Sequence, residues 1–523
     1  MPRKKKPSRK TRNLSRRRAK PAAPAEQTGF GLPPDELERA LLTGESPGLL
    51  EDYFGPDNYS QLRDLARDAS TRPVRGGPRV LILPGIMGST LAKKGPLGIE
   101  DILWINPVEI ALGKLTSLKL NGAASPYHAA GAILFAYLKL KLRLRINGFD
   151  ADFFPYDWRR SLEDLGADLA NKIQQEPASQ VSLVAHSMGG LVARMALPQA
   201  GEKVTRLIML GTPNYGSFAP VQVIRATYDV VQKIAKLDLR HNAEELSGEV
   251  FNTFPGLYQM LPSPEKFSAI NLYKPDAWPA KGPQPRADLL GKVKAVVDRL
   301  APADSRFFLI AGINRDTVVG VRMNAGEFAY DVSPDGDGTV PLAFAQLINI
   351  PPQHIYYVEE GHGNLPNNGA VESAVADLLS SGTTAALPNQ RPVSRRAARV
   401  VSEKRLKEMA LLAAGAGQLG TADYRHLLDA VAAPPRAEQA IETSAALMRG
   451  GIANYMSTYW PVGDDAAETF SETFYKAALG GSTIGSALLA GRKAVLDRRD
   501  RDWADYILYG NFDFVLKQPA SRA

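Results

Sequence analysis

Apolar residues along the chain collect in short unbroken blocks: Arg79–Leu83 (RVLIL), Val181–Ala185, Leu207–Leu210, Phe307–Ala311 and Ile355–Val358. Each is too short for a buried helix. RVLIL breaks at Pro84-Gly85, and Leu207–Leu210 ends in Gly211-Thr212-Pro213. That is the pattern of a buried strand running into a tight loop. The segments between are helical in period. Ala132–Ile146 puts Leu134, Leu138 and Leu142 on one face, and stretches near 34–43, 59–69 and Leu191–Leu197 also predict helices. Buried strands alternating with helices predict an α/β fold, a mostly parallel sheet covered on both faces.

Between Tyr215 and Arg306 the strand pattern stops. Within it Ile224, Tyr228, Val231 and Ile234 recur at helical spacing. An insertion this long between core strands predicts a helical cap over 216–306, with the stripe as a candidate lid face. Ordinary packing of an extra subdomain is the alternative. After Leu379 the run SSGTTAALPNQRPVSRR marks a boundary. Residues 395–430 read as helical. From Ala445 to Phe514 the pattern is helix, strand, helix, helix, strand. No internal repeat is evident. The expected division is a tail at 1–30, a main unit at 31–380, a linker at 381–394 and a further region at 395–523. For 523 residues, about 150 residues per domain gives roughly three units.

Charge changes the picture at one end only. Residues 1–20 hold eleven Lys and Arg and no acid, so removing them turns a net +8 into −3. Such a block repels itself and stays disordered. It serves either as a solubilising tail or as an adhesive for an anionic membrane surface or nucleic acid, without choosing a nucleic-acid sequence. It has no apolar core of a secretory signal, and no run of 18 apolar residues spans a bilayer anywhere. The expectation is a cytoplasmic protein, peripheral at a membrane if the tail adheres. Absence of cysteine excludes disulfides, thiolate metal sites and a thiol nucleophile.

Candidate chemistry centres on Val181–Gly190, VSLVAHSMGG. A strand runs into Ser187 and a helix starts behind it, the arrangement of a nucleophile elbow, with Ala185 where a first glycine usually stands. Residues two away on either side of such a serine must be small. A serine hydroxyl needs a base, which in this arrangement follows later in the chain, after the acid. Of six histidines, His128 and His186 precede the serine, His241 lies in the insertion and His426 beyond the boundary. His354 starts a strand. His362, in the glycine-flanked loop after that strand, is the candidate base. The acid is expected in Asp335-Gly336-Asp337-Gly338, as Asp337, with Asp335 the runner-up. Two backbone N–H groups must meet the developing oxyanion. Met188, after the serine, is one. The other is expected from Ile86, in the loop after RVLIL, with Met87 the alternative.

The stretches LILPGIMGSTL, PYDWR (155–159), AHSMGG, LGTPNYGS (210–217), FPGLYQMLPS (254–263), DGDGTVP (335–341) and GHGN (361–364), in this order, resemble the lecithin:cholesterol acyltransferase-like α/β-hydrolases over roughly 78–380. The resemblance implies a serine hydrolase or O-acyltransferase acting on lipid esters, with Ser187, Asp337 and His362 as triad and Ile86 and Met188 as oxyanion hole. It also implies that Tyr156, Asp157 and Trp158, with Arg159, shape the substrate site. No metal or cofactor is implied. The chain departs from that pattern at Ala185 and in lacking cysteine. Separately, ANYMSTYWPVGDDAAETFSETFYKAAL from Ala453 and DWADYILYGNFDF from Asp502 resemble the end of a CHAT domain, a caspase-like module, without its catalytic half. A helix carrying Phe470 and Phe474 one turn apart is expected there. The implied architecture is an α/β-hydrolase with a helical cap plus a small α/β CHAT-like segment. An alternative role is that of an interaction protein in a bacterial signalling or defence assembly, with 445–514 docking a partner or a second copy.

Overall fold

A computed structural model describes residues 29–71, 76–95, 99–122, 125–392, 397–415, 454–458, 464–497 and 506–510. The basic run at 1–20, His426 and the helix expected near 445 lie outside them. The strands in chain order are β1 (Arg79–Leu83), β2 (Ser89–Lys94), β3 (Glu100–Trp104), β4 (Tyr127–Ala132), β5 (Asp150–Phe153), β6 (Val181–His186) and β7 (Val204–Leu210). They continue with β8 (Phe307–Gly312), β9 (Thr317–Asn324), β10 (Glu327–Ser333), β11 (Ile355–Val358), β12 (Arg399–Ser402), β13 (Asn454–Thr458) and β14 (Tyr506–Gly510).

Six of them form one sheet in the order β11-β8-β7-β6-β1-β5, parallel at every pairing. The side-chain alternation of a strand divides the apolar blocks between two cores. Leu81, Leu83, Leu183, Ala185, Leu207 and Met209 share one core with the helices Leu162–Gln175 and Met188–Ala200. Val80, Ile82, Val184, Ile208, Phe308 and Ile310 share the other with the helix Gly369–Ser381. The helix Leu134–Ile146 serves both. Its expected stripe, Leu134, Leu138 and Leu142, joins the core of the N-terminal helices, while Leu140 and Leu144 join the sheet's other face. From β1 the chain moves to the edge at β5 and returns on the other side at β6. The winding reverses between β1 and β6, so their carboxyl ends open a crevice, where ligands bind in such sheets.

The structure corrects three expectations. The cap helices are present, Ala219–Ile224 and Asp229–Leu237 among them, but the stripe is not a lid face. Ile224, Val231 and Ile234 are buried, and Ala226, at φ 54°, breaks the run into two helices. The apolar period reports packing between cap and body. Second, 395–430 is not helical throughout. It opens with β12, antiparallel to β10 in a β12-β10-β9 sheet, before the helix Glu403–Gly415. Third, the main unit therefore does not end at residue 380. Glu403 forms a buried ion pair with Arg225 of the cap at 2.9 Å, so β12 and the helix behind it belong to the main unit. The β3-β2-β4 sheet was also not anticipated.

At the carboxyl end β13 and β14 pair antiparallel. The helices Asp464–Leu479 and Ile484–Asp497 pack through Phe470, Phe474, Ala478, Ala487 and Leu488. The Phe470 and Phe474 rings lie 5.7 Å apart. Gly491 allows the approach, since a Cβ there would sit 2.8 Å from the Phe470 ring. Among the described residues no helix is long and apolar enough to cross a membrane.

Candidate active site

Ser187 stands where β6 turns into the helix Met188–Ala200, at φ 54° and ψ −124°. A non-glycine residue held there costs on the order of 1–3 kcal/mol and persists only where its surroundings over-determine it. Here they do. The Ser187 N–H donates to the Leu210 carbonyl at 2.9 Å, and its own carbonyl accepts from Gly190 at 3.0 Å. A Cβ at Gly189 would lie 2.6 Å from the Pro84 oxygen, and one at Gly190 2.0 Å from Thr212 Oγ1. Ala185 is fully buried, in agreement with the need for a small residue on the amino side.

His362 follows β11 and Asp337 follows β10. The Ser187 hydroxyl lies 2.8 Å from His362 Nε2, and His362 Nδ1 lies 2.7 Å from Asp337 Oδ2. A carboxylate only accepts, so Nδ1 carries the proton and Nε2 is left to accept from Ser187. Asp337 is 3 % exposed. Its Oδ1 accepts from the Thr339 and Val340 N–H groups at 3.0 and 2.7 Å, and its carbonyl accepts from the His362 N–H at 2.8 Å. Asp335 instead pairs with Arg391. His354 stacks on Phe308 and lies 3.0 Å from the Phe307 carbonyl, His128 pairs with Glu100 and His241 with Asp238.

The loop after β1 packs against the serine so closely that a Cβ at Gly85 would lie 2.9 Å from Ser187 Cβ. The Gly85 N–H is taken by Tyr137 Oη at 2.9 Å. The N–H groups of Ile86 and Met188, the expected oxyanion donors, meet no protein acceptor among the described residues; neither does that of Met87, held at φ 62°. Met188 also opens a helix, whose first N–H groups carry partial positive charge.

Tyr156, Asp157 and Trp158, expected to shape the substrate site, brace the loop beside the serine. Tyr156 Oη donates to the Pro84 carbonyl at 2.6 Å, and Trp158 Nε1 to the Ser89 carbonyl at 3.0 Å. Asp157 holds the fully buried Arg159 through both oxygens, at 2.8 and 2.7 Å. A cleft of about 300 Å³ bordered by Tyr156, Asp157, His128 and Arg160 includes none of Ser187, Asp337 or His362. Sequence reasoning missed Trp104, whose Nε1 donates to the Met87 carbonyl at 2.9 Å, and Tyr137. Both sit in apolar stretches, where only the polar tip of the side chain signals a second task. Among the described residues no three His, Asp or Glu gather to hold a metal.

The sheet, its switch point and the serine at the carboxyl end of β6 define an α/β-hydrolase. Residues 128–373 match the lecithin:cholesterol acyltransferase family and residues 430–511 match the CHAT domain. The chain thus carries an acyltransferase-type domain and a CHAT segment, and it is an enzyme of the lipid-ester hydrolase and acyltransferase class. The first match begins in β4, so β1 and its loop lie outside it. No curated protein matches the chain. Among solved structures, a Tle4–Tli4 complex aligns at 14% identity over 58% of this chain and 97% of that one, with a TM-score of 0.39. The Bacillus licheniformis lipase BlEst2 in its mature form aligns at 18% identity over 56% and 90%, with a TM-score of 0.27. Phospholipase PlaB from Legionella pneumophila aligns at 13% identity over 51% and 45%, with a TM-score of 0.23.

Proposed function

We propose that the protein cleaves or transfers the acyl group of a lipid ester through Ser187, His362 and Asp337. The observation that carries this reading is the continuous line from the Ser187 hydroxyl through both nitrogens of His362 to a buried carboxylate. His362 Nε2 takes the hydroxyl proton as Oγ attacks the ester carbonyl. The carbonyl π pair moves to oxygen, which the N–H groups of Ile86 and Met188 receive. On collapse the C–O bond to the alcohol breaks, and His362 returns the proton to the leaving oxygen. Water or a second alcohol then repeats the sequence on the acyl-enzyme, giving hydrolysis or transfer. Asp337 keeps the imidazole in the useful tautomer and stabilises its cation. The test is fatty-acid release from phosphatidylcholine and phosphatidylglycerol vesicles, with and without an added long-chain alcohol. Wild type is expected to release fatty acid or form the wax ester, and Ser187→Ala to do neither. Equal activity of the two proteins would refute the reading.

We further propose that the CHAT segment is a docking element. Tyr475, Leu479, Leu489 and Leu496 on its two helices are all exposed, and with no cysteine in the chain it has no thiolate for peptidase chemistry. Leu479→Glu with Leu489→Glu is expected to abolish self-association or partner retention in light scattering. Unchanged assembly would reject docking through these helices.

A further inference from the structure

Next to the nucleophile lies a second histidine that the acyl-transfer scheme does not use. His186 is 6 % exposed. Its Nδ1 lies 2.9 Å from Tyr137 Oη, and its Nε2 lies 2.9 Å from the backbone carbonyl of His362. Tyr137 Oη is also 2.9 Å from the Gly85 N–H. The chain of contacts thus runs from the loop before Ile86, through the residue preceding Ser187, to the backbone of the base.

The two ends fix the direction of every proton. The Gly85 N–H can only donate, so Tyr137 oxygen accepts there. The His362 carbonyl can only accept, so His186 must donate from Nε2. Nδ1 is then a bare lone pair, and the Tyr137 O–H donates to it. The opposite tautomer would set the Nε2 lone pair against a carbonyl lone pair and would leave the tyrosine proton with no acceptor in this chain of contacts. One arrangement satisfies all three contacts. Burial, and next the nearby His362, push the His186 imidazole down to about 3, so it is neutral near pH 7 and the arrangement does not titrate away there.

Resting on the proposed reaction, we propose that Tyr137 and His186 are positioning residues that hold the oxyanion loop and His362 in mutual register around Ser187. Neither touches the reacting atoms. With this contact His362 is held at four points: its N–H and Nδ1 by Asp337, its Nε2 by Ser187, and its carbonyl by His186. Without His186 the carbonyl of the base loses its donor and the peptide is free to rotate about the Asp337 bonds; without Tyr137 the loop bearing Ile86 loses its tie at Gly85. A misplacement of about 1 Å at a catalytic group costs on the order of 10²-fold in rate.

The test uses the full chain with a p-nitrophenyl butyrate assay and the rate of Ser187 labelling by a fluorophosphonate. Tyr137→Phe removes only the relay oxygen. His186→Phe fills the site without polar atoms. His186→Gln restores an N–H directed at the His362 carbonyl. The expected result is a 10- to 100-fold fall in kcat and in labelling rate for Tyr137→Phe and His186→Phe, with KM within about twofold. His186→Gln should recover at least a tenth of wild-type kcat, and the Tyr137→Phe/His186→Phe pair should lose no more than the worse single variant, since both cut one chain. A purely structural role would give losses that track melting temperature, with no rescue by glutamine. Folded Tyr137→Phe and His186→Phe within threefold of wild type would overturn the inference. Failure of wild type itself to label at Ser187 would overturn the reaction on which it rests.

Discussion

Asp337→Asn isolates the electrostatic role of the buried acid, because the site dictates which way the new amide must face. Oδ1 of Asp337 accepts two backbone N–H groups, from Thr339 and Val340. In the variant the amide oxygen must occupy that position, so the NH₂ group points at His362 Nδ1. An N–H facing Nδ1 holds the imidazole with its proton on Nε2, where it cannot accept from Ser187. Turning the amide over would forfeit both backbone bonds and set N–H against N–H, at about 1.5 kcal/mol for each bond lost. About 3 kcal/mol leaves the useful tautomer populated at roughly one part in 10². The carboxylate charge that stabilises the imidazolium is lost as well, through a 2.7 Å contact, and supplies a similar or larger factor. The expected fall in kcat is about 10⁴, or about 5.4 kcal/mol, with KM and melting temperature nearly unchanged. Steady-state kinetics on p-nitrophenyl butyrate, with thermal unfolding as the control, measure it. Asp335→Asn should stay within threefold, since Asp335 faces Arg391 at the surface. A loss under tenfold in folded Asp337→Asn, or a larger one in Asp335→Asn, would refute the reasoning.

Three further outcomes are expected. Glu403→Ala strands the buried Arg225 and should cost about 3 kcal/mol in urea unfolding; a change below about 0.5 kcal/mol would detach β12 and its helix from the body. Val231→Ser empties part of the core and buries a hydroxyl, costing about 2–3 kcal/mol, and it should reduce activity on vesicles and on a soluble ester alike; selective loss on vesicles would restore the lid reading. Burial pushes Glu372 up from 4.5 to about 7, against the pull of Lys139 and Arg143. Its carboxyl therefore stays protonated in the fold at pH values where the unfolded chain has released the proton. Stability should fall as pH rises between those values, by up to about 3 kcal/mol, and level off above. Glu372→Gln should match wild type near pH 4.5 and unfold at higher temperature at pH 8; equal melting temperatures at pH 8 would contradict this.

Much of the fold was legible because buried parallel strands are written as continuous apolar blocks. RVLIL and IYYV match β1 and β11 residue for residue. The site was legible because an elbow needs small residues around its serine and because chain order limits the choice of base and acid. Sheets with mixed surfaces were not legible: β2 (STLAKK) and β4 (YHAAGA) lack the β-branched and aromatic alternation that marks a strand. Helical period alone did not say which way Ile224 and Val231 face, since an apolar stripe packs equally well on a core or on lipid. PYDWR was visible as a motif. Its task, bracing the Pro84–Ser89 loop, depends on contacts some 70 positions apart in the chain, which no local pattern carries.

The proposed chemistry turns on one activated serine, and its most direct measurement is the site of covalent capture. Full-length protein treated with a fluorophosphonate and digested should yield a single adduct mapped by mass spectrometry to Ser187. Labelling should be faster by at least about 10³-fold than in the His362→Ala variant. An adduct on any other serine, or labelling of Ser187 at the same rate in His362→Ala, would contradict it.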